Sequence, residues 1–343
     1  MTDLAAEISA QRTHRKRSVA SLLLWCLAAA LIVCQGVIWY RPVIPILAVL
    51  DQFAIQLTIL AGLAALCALL LRRWLHVMLL AMLSVTLCWP IFAQRAPAAV
   101  TDPARLTVLS ANLWHSATGH EGTIKVLLAS DADVIGLLEV TPAWRAALGP
   151  LLAKYPNRVD CLDTEGDCKA MLLSKLPIAN PVAGRIWRMT PMVVGGDVEW
   201  NGRTVTIFAT HWFRPVKRSA ASRWGEHDAE RSAYLAPGLP LSRQAGQAGL
   251  FAKYLNRQPR DLILMGDFNS VPWSRVQRAF RDKTGLDNET GWSSSWPSSL
   301  PWPLRLPIDH ILARGHLAVT KFSIGPKTDS DHYPVIAEIG WRD

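Results

Sequence analysis

From Ser18 to Tyr40 the chain runs 23 residues without a charged side chain. Phe53–Leu71 and Trp74–Phe92 are apolar runs of 19 residues each, parted only by Arg72 and Arg73. A helix needs about 20 apolar residues to cross the hydrocarbon core of a bilayer, so the spacing predicts three transmembrane helices within residues 18–92. Trp39, Tyr40, Trp74 and Trp89 fall near the ends of these runs, where amphipathic rings favour the interface. The competing arrangement is a buried helical hairpin made by the second and third runs. Asp51, Gln52 and Gln56 leave the start of the second run free to slide. Charge follows the same division: residues 1–99 hold 8 Lys/Arg and 3 Asp/Glu, and the remainder holds 28 and 24. So little charge cannot clothe a soluble surface, whereas the rest of the chain has an ordinary globular composition. A disordered protein, a small disulfide scaffold and a wholly soluble enzyme are excluded.

Orientation follows from the basic residues. Arg12, Arg15, Lys16 and Arg17 precede the first run and Arg72-Arg73 fill the second turn, while the first turn has only Arg41. The positive-inside bias then puts residues 1–17 in the cytoplasm and everything after Phe92 outside it. The start of the chain also resembles a signal peptide. Its apolar run exceeds the usual 7–15 residues and lacks a convincing cleavage site, which favours an uncleaved anchor. The expected place is the inner (plasma) membrane, multi-pass, with a linker at 93–104 and a catalytic domain at 105–343 outside the cytoplasm, periplasmic in a Gram-negative cell. Cys26, Cys34, Cys67 and Cys88 lie inside the apolar runs, so only Cys161 and Cys168 belong to the large domain. They flank a polar, Gly-containing hairpin tip and either bond to each other in an oxidising compartment or stay as two thiols. The first alternative agrees with the outside placement.

Behind the linker, strand-like and helical patterns alternate. Leu106–Ser110, Val134–Leu138, Met171–Leu173, Arg203–Ala209, Leu262–Met265, Ile308–Leu312 and Val335–Ile339 read as strands, and 122–129 and 242–255 as helices. Polar, metal-capable residues recur where the apolar strands begin or stop: Asn112, Glu139, His211, Asp267 with Asn269, Asp309, and Asp331 with His332. One Asn or Asp after a strand is ordinary turn chemistry. Six such places in order predict strand ends gathered into one rigid concave site.

The motifs Leu-Ser-Ala-Asn112-Leu, Val-Ile-Gly-Leu-Leu-Glu139, Ala-Thr-His211, Gly266-Asp267-Phe-Asn269-Ser, Ile-Asp309-His and Ser330-Asp331-His332-Tyr-Pro334 resemble the successive signatures of the endonuclease/exonuclease/phosphatase superfamily. The resemblance runs from about residue 105 to 340. It implies an α/β (α+β) four-layer sandwich, two mixed β-sheets flanked by helices, here preceded by the three transmembrane helices. The fold alone does not name the substrate.

Phosphodiester hydrolysis needs a stabiliser of phosphoryl charge, an activated water and an acid for the leaving group. Glu139 is a hard oxygen ligand suited to Mg²⁺, with Mn²⁺ as a substitute. Similarity to the family adds Asp331 and Asn112 to the metal. It also implies that Asp309 and His332 pair, the carboxylate fixing the imidazole. Two assignments then compete: His332 is the base, or His332 is a cation on the phosphate and Asp267 is the base. The resemblance further implies that Asn269 positions Asp267 and holds a phosphate oxygen, and that His211 stands where related enzymes place a histidine that binds phosphate or protonates the leaving group. His310 points to the opposite face of a regular strand and reads as structural.

A long loop after His211 carries Lys217, Arg218, Arg223, Trp224 and Arg231. Trp114, Trp212 and Trp273 follow catalytic motifs, and Trp292, Trp296 and Trp302 crowd the segment before Asp309. Half of these tryptophans are expected in the core, and the rest at the mouth of the site. The resulting expectation is a membrane-anchored, metal-dependent phosphodiester hydrolase acting on phospholipid or sphingolipid head groups. Its partners are the lipid bilayer and the phosphoester, with no protein partner. The alternatives are an extracytoplasmic nuclease cleaving DNA or RNA, disfavoured by the mild charge of the domain, and a non-catalytic binding module.

Overall fold

The computed structural model describes residues 2–40, 45–92, 100, 103–162, 168–187, 190–215, 239–288, 291 and 293–342. The basic loop with Lys217, Arg218, Arg223, Trp224 and Arg231, Trp292, and most of the 93–104 linker lie outside these residues. The chain divides into two compact units, Met1–Ala93 and Gln94–Asp343.

The first unit is helical: α1 (Thr2–Tyr40), a 3₁₀ segment (Pro45–Phe53), α2 (Ala54–Leu70) and α3 (Trp74–Phe92). Ala61, Ala64, Ala65 and Ala68 line one face of α2 and pack with Leu80, Leu83 and Leu87 of α3 and with Ala28 and Leu31 of α1. Small residues at such a seam let helices approach closely. The outer faces are apolar as well, with Leu22, Leu23, Val33, Leu63, Leu70, Leu75, Met78, Val85 and Trp89 exposed. Among the described residues two stretches, Ser18–Trp39 and Val49–Leu70, are long and apolar enough to cross a membrane. The third expected span coincides with helix α3, Trp74–Phe92, whose described apolar part is Trp74–Trp89.

The second unit is built on two mixed sheets. One has the order β10-β11-β1-β2-β4-β3, with β1 at Leu106–Asn112, β2 at Val134–Leu138, β3 at Asn157–Asp160, β4 at Ala170–Ser174, β10 at Leu317–Ile324 and β11 at Val335–Trp341. The other has the order β5-β6-β7-β8-β9, with β5 at Ile178–Arg185, β6 at Met192–Trp200, β7 at Arg203–His211, β8 at Leu262–Asp267 and β9 at Asp309–Arg314. Within each sheet one pair is parallel, β1 with β2 and β7 with β8; the others are antiparallel.

Side chains on a strand alternate between faces, and in central strands such as β2, β4 and β8 both faces are buried, which explains their continuous apolar runs. Val108, Val134, Leu172, Ile207, Ile263, Met265, Ile311 and Ala337 meet between the sheets. Leu109, Ile135 and Leu173 face outward onto α4 (Glu121–Ala129), α5 (Pro142–Ala147) and α6 (Gly149–Lys154) through Leu127, Trp144 and Leu151. Phe208, Leu264 and Leu312 face α7 (Leu239–Leu255) and α8 (Arg275–Thr284) through Phe251, Leu255 and Phe280. The layers are therefore helix, sheet, sheet, helix. Local signals start the shorter helices. Thr141 Oγ1 accepts the Trp144 N–H at 3.3 Å ahead of Pro142, and Ser274 Oγ accepts the Gln277 N–H at 3.1 Å. Cys161 and Cys168 are joined by a disulfide, with Cα atoms 5.5 Å apart.

Candidate active site

The site grows out of the stripe of side chains that lies between the sheets. On β7 the inward residues Val205, Ile207 and Ala209 lead by alternation to His211; on β8, Ile263 and Met265 lead to Asp267; on β9, Asp309 precedes Ile311 and Ala313. Register sets these polar members side by side, because His211 pairs with Asp267 and Asp267 with Asp309. Asn112 ends the same stripe on β1, and Glu139 follows the last residue of β2. Gly266 makes the β7–β8 approach possible. Its φ is +146°, and a Cβ there would lie 1.9 Å from the Thr210 carbonyl oxygen.

Three strand ends turn sharply at this edge. Trp114, Glu139 and Asn269 have φ of +59°, +58° and +47°, a left-handed conformation that bulky residues seldom adopt. Such residues persist where the surroundings hold them. Asn112 Oδ1 accepts the Trp114 N–H at 3.0 Å, and Asp267 Oδ1 accepts the Asn269 N–H at 2.8 Å. Asn269 Nδ2 donates to the Trp212 carbonyl at 2.9 Å, so this side chain braces Asp267 through its own backbone.

Asn112 Nδ2 lies between two carboxylates, 3.2 Å from Glu139 Oε1 and 3.1 Å from Asp267 Oδ2. His211 Nε2 stands 3.5 Å from Asp267 Oδ2 and 4.0 Å from Glu139 Oε1. His332 Nδ1 donates to Asp309 Oδ2 at 2.8 Å, and the same oxygen accepts Ser295 Oγ at 2.6 Å. The far nitrogen, Nε2, stands 3.9 Å from both Asp267 Oδ2 and Asp331 Oδ1. Trp296 Nε1 donates to Asp331 Oδ2 at 3.1 Å. His310 turns the other way, and its Nε2 donates to the Ser270 carbonyl at 2.8 Å.

Burial and neighbouring charge divide these groups. Burial opposes the charge of Glu139, yet the hydrogen bond from His115 and the nearby His211 outweigh it and hold the carboxyl below its ordinary range. Asp267 is pushed up, first by burial and then by the charge of Asp309. Burial would lower His332, but the charge and hydrogen bond of Asp309 push it up to about 9. Burial and neighbouring charge thus raise both the Asp267 carboxyl and the His332 imidazole, a pairing of perturbed groups that suits a site for proton transfer.

Two observations bear on a divalent cation. Asp331 Oδ1 is buried with no hydrogen-bond donor among the described residues, a position that a cation would satisfy. Asp267, Asp309 and His332 bring ligand-capable atoms within 4.8 Å of one another, although His332 and Asp309 bond to each other there. Carboxylate oxygens of this kind fit a hard divalent cation, and Asn112 fixes the Glu139 carboxylate among them.

Of the sequence-predicted residues, Asn112, Glu139, His211, Asp267, Asn269, Asp309, Asp331 and His332 all come to this one edge. Trp212 and Trp273 do not rim its mouth; both are buried, with Trp212 packed on Phe268 and Phe280. Sequence reasoning missed His115, whose Nδ1 lies 2.5 Å from Glu139 Oε2, and Arg214, whose guanidinium lies 3.7 Å from Glu139 Oε1. Each follows a motif residue by three positions, the only signal that pointed to it.

The family model for Endonuclease/Exonuclease/phosphatase proteins matches residues 109–332. No curated protein matches the sequence. Among solved structures, an endonuclease/exonuclease/phosphatase from Bacteroides vulgatus covers 70% of this chain and 100% of its own, with 14% identity and a TM-score of 0.52. A D. rerio TDP2 humanized by 14 mutations covers 69% and 99%, with 15% identity and a TM-score of 0.50. Sphingomyelinase C from Streptomyces griseocarneus covers 68% and 99%, with 18% identity and a TM-score of 0.45. At these identities the likeness is one of fold. The family match begins inside β1 and ends on His332, enclosing every strand end of the site, and the chain accordingly belongs to the endonuclease/exonuclease/phosphatase family of phosphoester hydrolases.

Proposed function

We propose that this chain is a membrane-anchored, divalent-metal-dependent phosphodiester hydrolase that works outside the cytoplasm on phospholipid or sphingolipid head groups. The observation that carries the reaction is Asp267, a buried carboxylate with His211 Nε2 at 3.5 Å and His332 Nε2 at 3.9 Å. Raised by burial, Asp267 is suited to take a proton from the attacking water. His332, pushed up to about 9 by Asp309, is a cation at neutral pH and serves the phosphate rather than the water. This favours the second of the two competing assignments. His211 borders the cleft at the end of β7 and delivers a proton to the leaving oxygen. A bound divalent ion would supply a Lewis acid for the phosphoryl charge, held by Glu139 and Asp331 with Asn112.

The lipid reading rests on the segment before β9. Leu300, Trp302 and Leu304 are 39%, 55% and 52% exposed, while most other large apolar side chains of the second unit are buried. Their loop is fastened to the site: Ser298 N–H donates to the Asp331 carbonyl at 2.7 Å, and Arg305 donates to Tyr333 Oη at 3.2 Å. An apolar rim fixed beside a phosphoryl site suits a substrate that lies in an interface. The test is turnover by the full chain on phospholipid and sphingomyelin vesicles and on a soluble phosphodiester, for wild type and L300S/W302S/L304S. We expect at least a tenfold loss on vesicles with little change on the soluble ester. Equal losses on both, or hydrolysis of DNA or RNA with none of lipid, would reject the lipid reading and leave a nuclease.

A further inference from the structure

We propose that His115 is a nitrogen ligand of the divalent ion that Glu139 holds, so that the site takes Mn²⁺ or another nitrogen-accepting ion more tightly than Mg²⁺. The inference rests on the metal dependence proposed above and concerns a residue outside the predicted ligand set. Its first support is the path of the chain. The Asn112 side chain captures the Trp114 N–H, Trp114 adopts φ +59°, and the backbone folds back so that His115 N–H donates to Glu139 Oε2 at 2.9 Å. The imidazole Nδ1 reaches the same oxygen at 2.5 Å. A bulky residue is thus held in an unfavourable conformation, and the result is an imidazole nitrogen set beside a carboxylate oxygen.

The second support is that each Glu139 oxygen keeps another hydrogen-bond donor when the imidazole turns to an ion. Oε1 accepts from Asn112, and Oε2 accepts from the His115 backbone. The imidazole is an additional group, 33% exposed, against a carboxylate that is 8% exposed. Adjacent ligands on an octahedral ion with bonds of about 2.1 Å stand about 3 Å apart. The observed separation of 2.5 Å therefore needs to open by only about half an ångström, within the reach of a partly exposed side chain.

His211 is placed differently. Its Nε2 lies 4.0 Å from Glu139 Oε1 and 3.5 Å from Asp267 Oδ2, facing two carboxylates at once. That suits a donor to the substrate rather than a partner of one ligand oxygen. The donor set consequently differs from an all-oxygen one. Carboxylate and water suit Mg²⁺, whereas an added imidazole strengthens Mn²⁺, Co²⁺ or Zn²⁺.

The full chain, purified in detergent without divalent ions, can be titrated with Mn²⁺ and followed by electron paramagnetic resonance. Electron spin echo modulation then reports nitrogen bound directly to the ion. Wild type should show coupling to one imidazole nitrogen, retained in His211→Ala and lost in both His115→Ala and His115→Asn. The dissociation constant for Mn²⁺ should rise about tenfold or more in the His115 variants. That for Mg²⁺, read by competition, should change much less. Nitrogen coupling that is absent from wild type, survives in His115→Ala, or disappears in His211→Ala instead overturns the inference, as does equal or tighter Mn²⁺ binding without His115. Glu139→Gln separates the two layers. If Mn²⁺ binds and Glu139→Gln abolishes binding while the His115 variants match wild type, only the role of His115 fails. If wild type binds no divalent ion, the proposed metal dependence fails with it.

Discussion

Asp267 and His310 show how much a single position on a strand decides. Asp267 lies on the inner face with its carboxyl pushed up by burial, and it has only donors and cations for company apart from Asp309. A charge held against burial is a cost to folding that catalysis requires. Asp267→Asn should therefore lower kcat by at least about 10²-fold while leaving the melting temperature unchanged or higher. Paired turnover and melting measurements check this, and a variant that melts early would point to a structural role instead. His310 is adjacent to Asp309 but on the opposite face, where burial pushes its imidazole down to about 4. An unfolded chain takes up this proton near pH 6.5, and the native one does so only near 4. More protons are then bound by the unfolded state within that window, so stability falls as pH drops from about 6.5 to 4 and levels off below. The full contribution is about 3 kcal/mol. Denaturant midpoints across this range should slope less in His310→Gln, which keeps a donor for the Ser270 carbonyl. An unchanged slope would assign the acid sensitivity elsewhere.

At the level of the strand, β8 depends on a residue without a side chain. A Cβ at Gly266 would meet the Thr210 backbone at 1.9 Å and push β8 away from β7, separating Asp267 from His211. Gly266→Ala should cost about 2–4 kcal/mol and most of the activity, which urea unfolding and turnover would report. The β3–β4 hairpin has its own constraint in the Cys161–Cys168 disulfide, whose partners are seven residues apart. Closing so short a loop is worth about 2 kcal/mol, the loss expected for Cys161→Ser by thermal unfolding. The strands that the sequence made legible are those buried on both faces, such as Val134–Leu138, where the apolar run and the element coincide. Strands β5 and β6 escaped notice for the opposite reason. Pro181 sits in an edge strand with exposed positions, and Gly195-Gly196 interrupts β6, so neither carries a steady pattern.

For the molecule as a whole, the chain divides at Ala93 into a helical unit with apolar outer faces and a four-layer unit with a polar edge. The clusters at Arg12, Arg15, Lys16 and Arg17 and at Arg72-Arg73 predict that the second unit lies outside the cytoplasm. The disulfide agrees with an oxidising compartment. An alkaline phosphatase fused after residue 100 should be active, since that reporter folds only outside the cytoplasm, and Cys161 should resist thiol labelling until reduced. A silent fusion and a freely labelled thiol would reverse the topology.

What composition and order settled were the properties carried by short windows. The division into an apolar and a globular part, the inward stripe of most strands, and the eight polar residues at their ends depend on neighbours in sequence. They were readable because alternation and charge are local. Distances between chain-remote atoms are not local. Only the packed sheets decided that Asn112 would bridge Glu139 and Asp267, 155 residues away from it, and that Trp212 would be core rather than rim. They also decided that His115 and Arg214 would close on a carboxylate from another strand. Register and left-handed turns set these contacts. Both arise from the simultaneous burial of two sheet faces, which no single segment of the chain encodes.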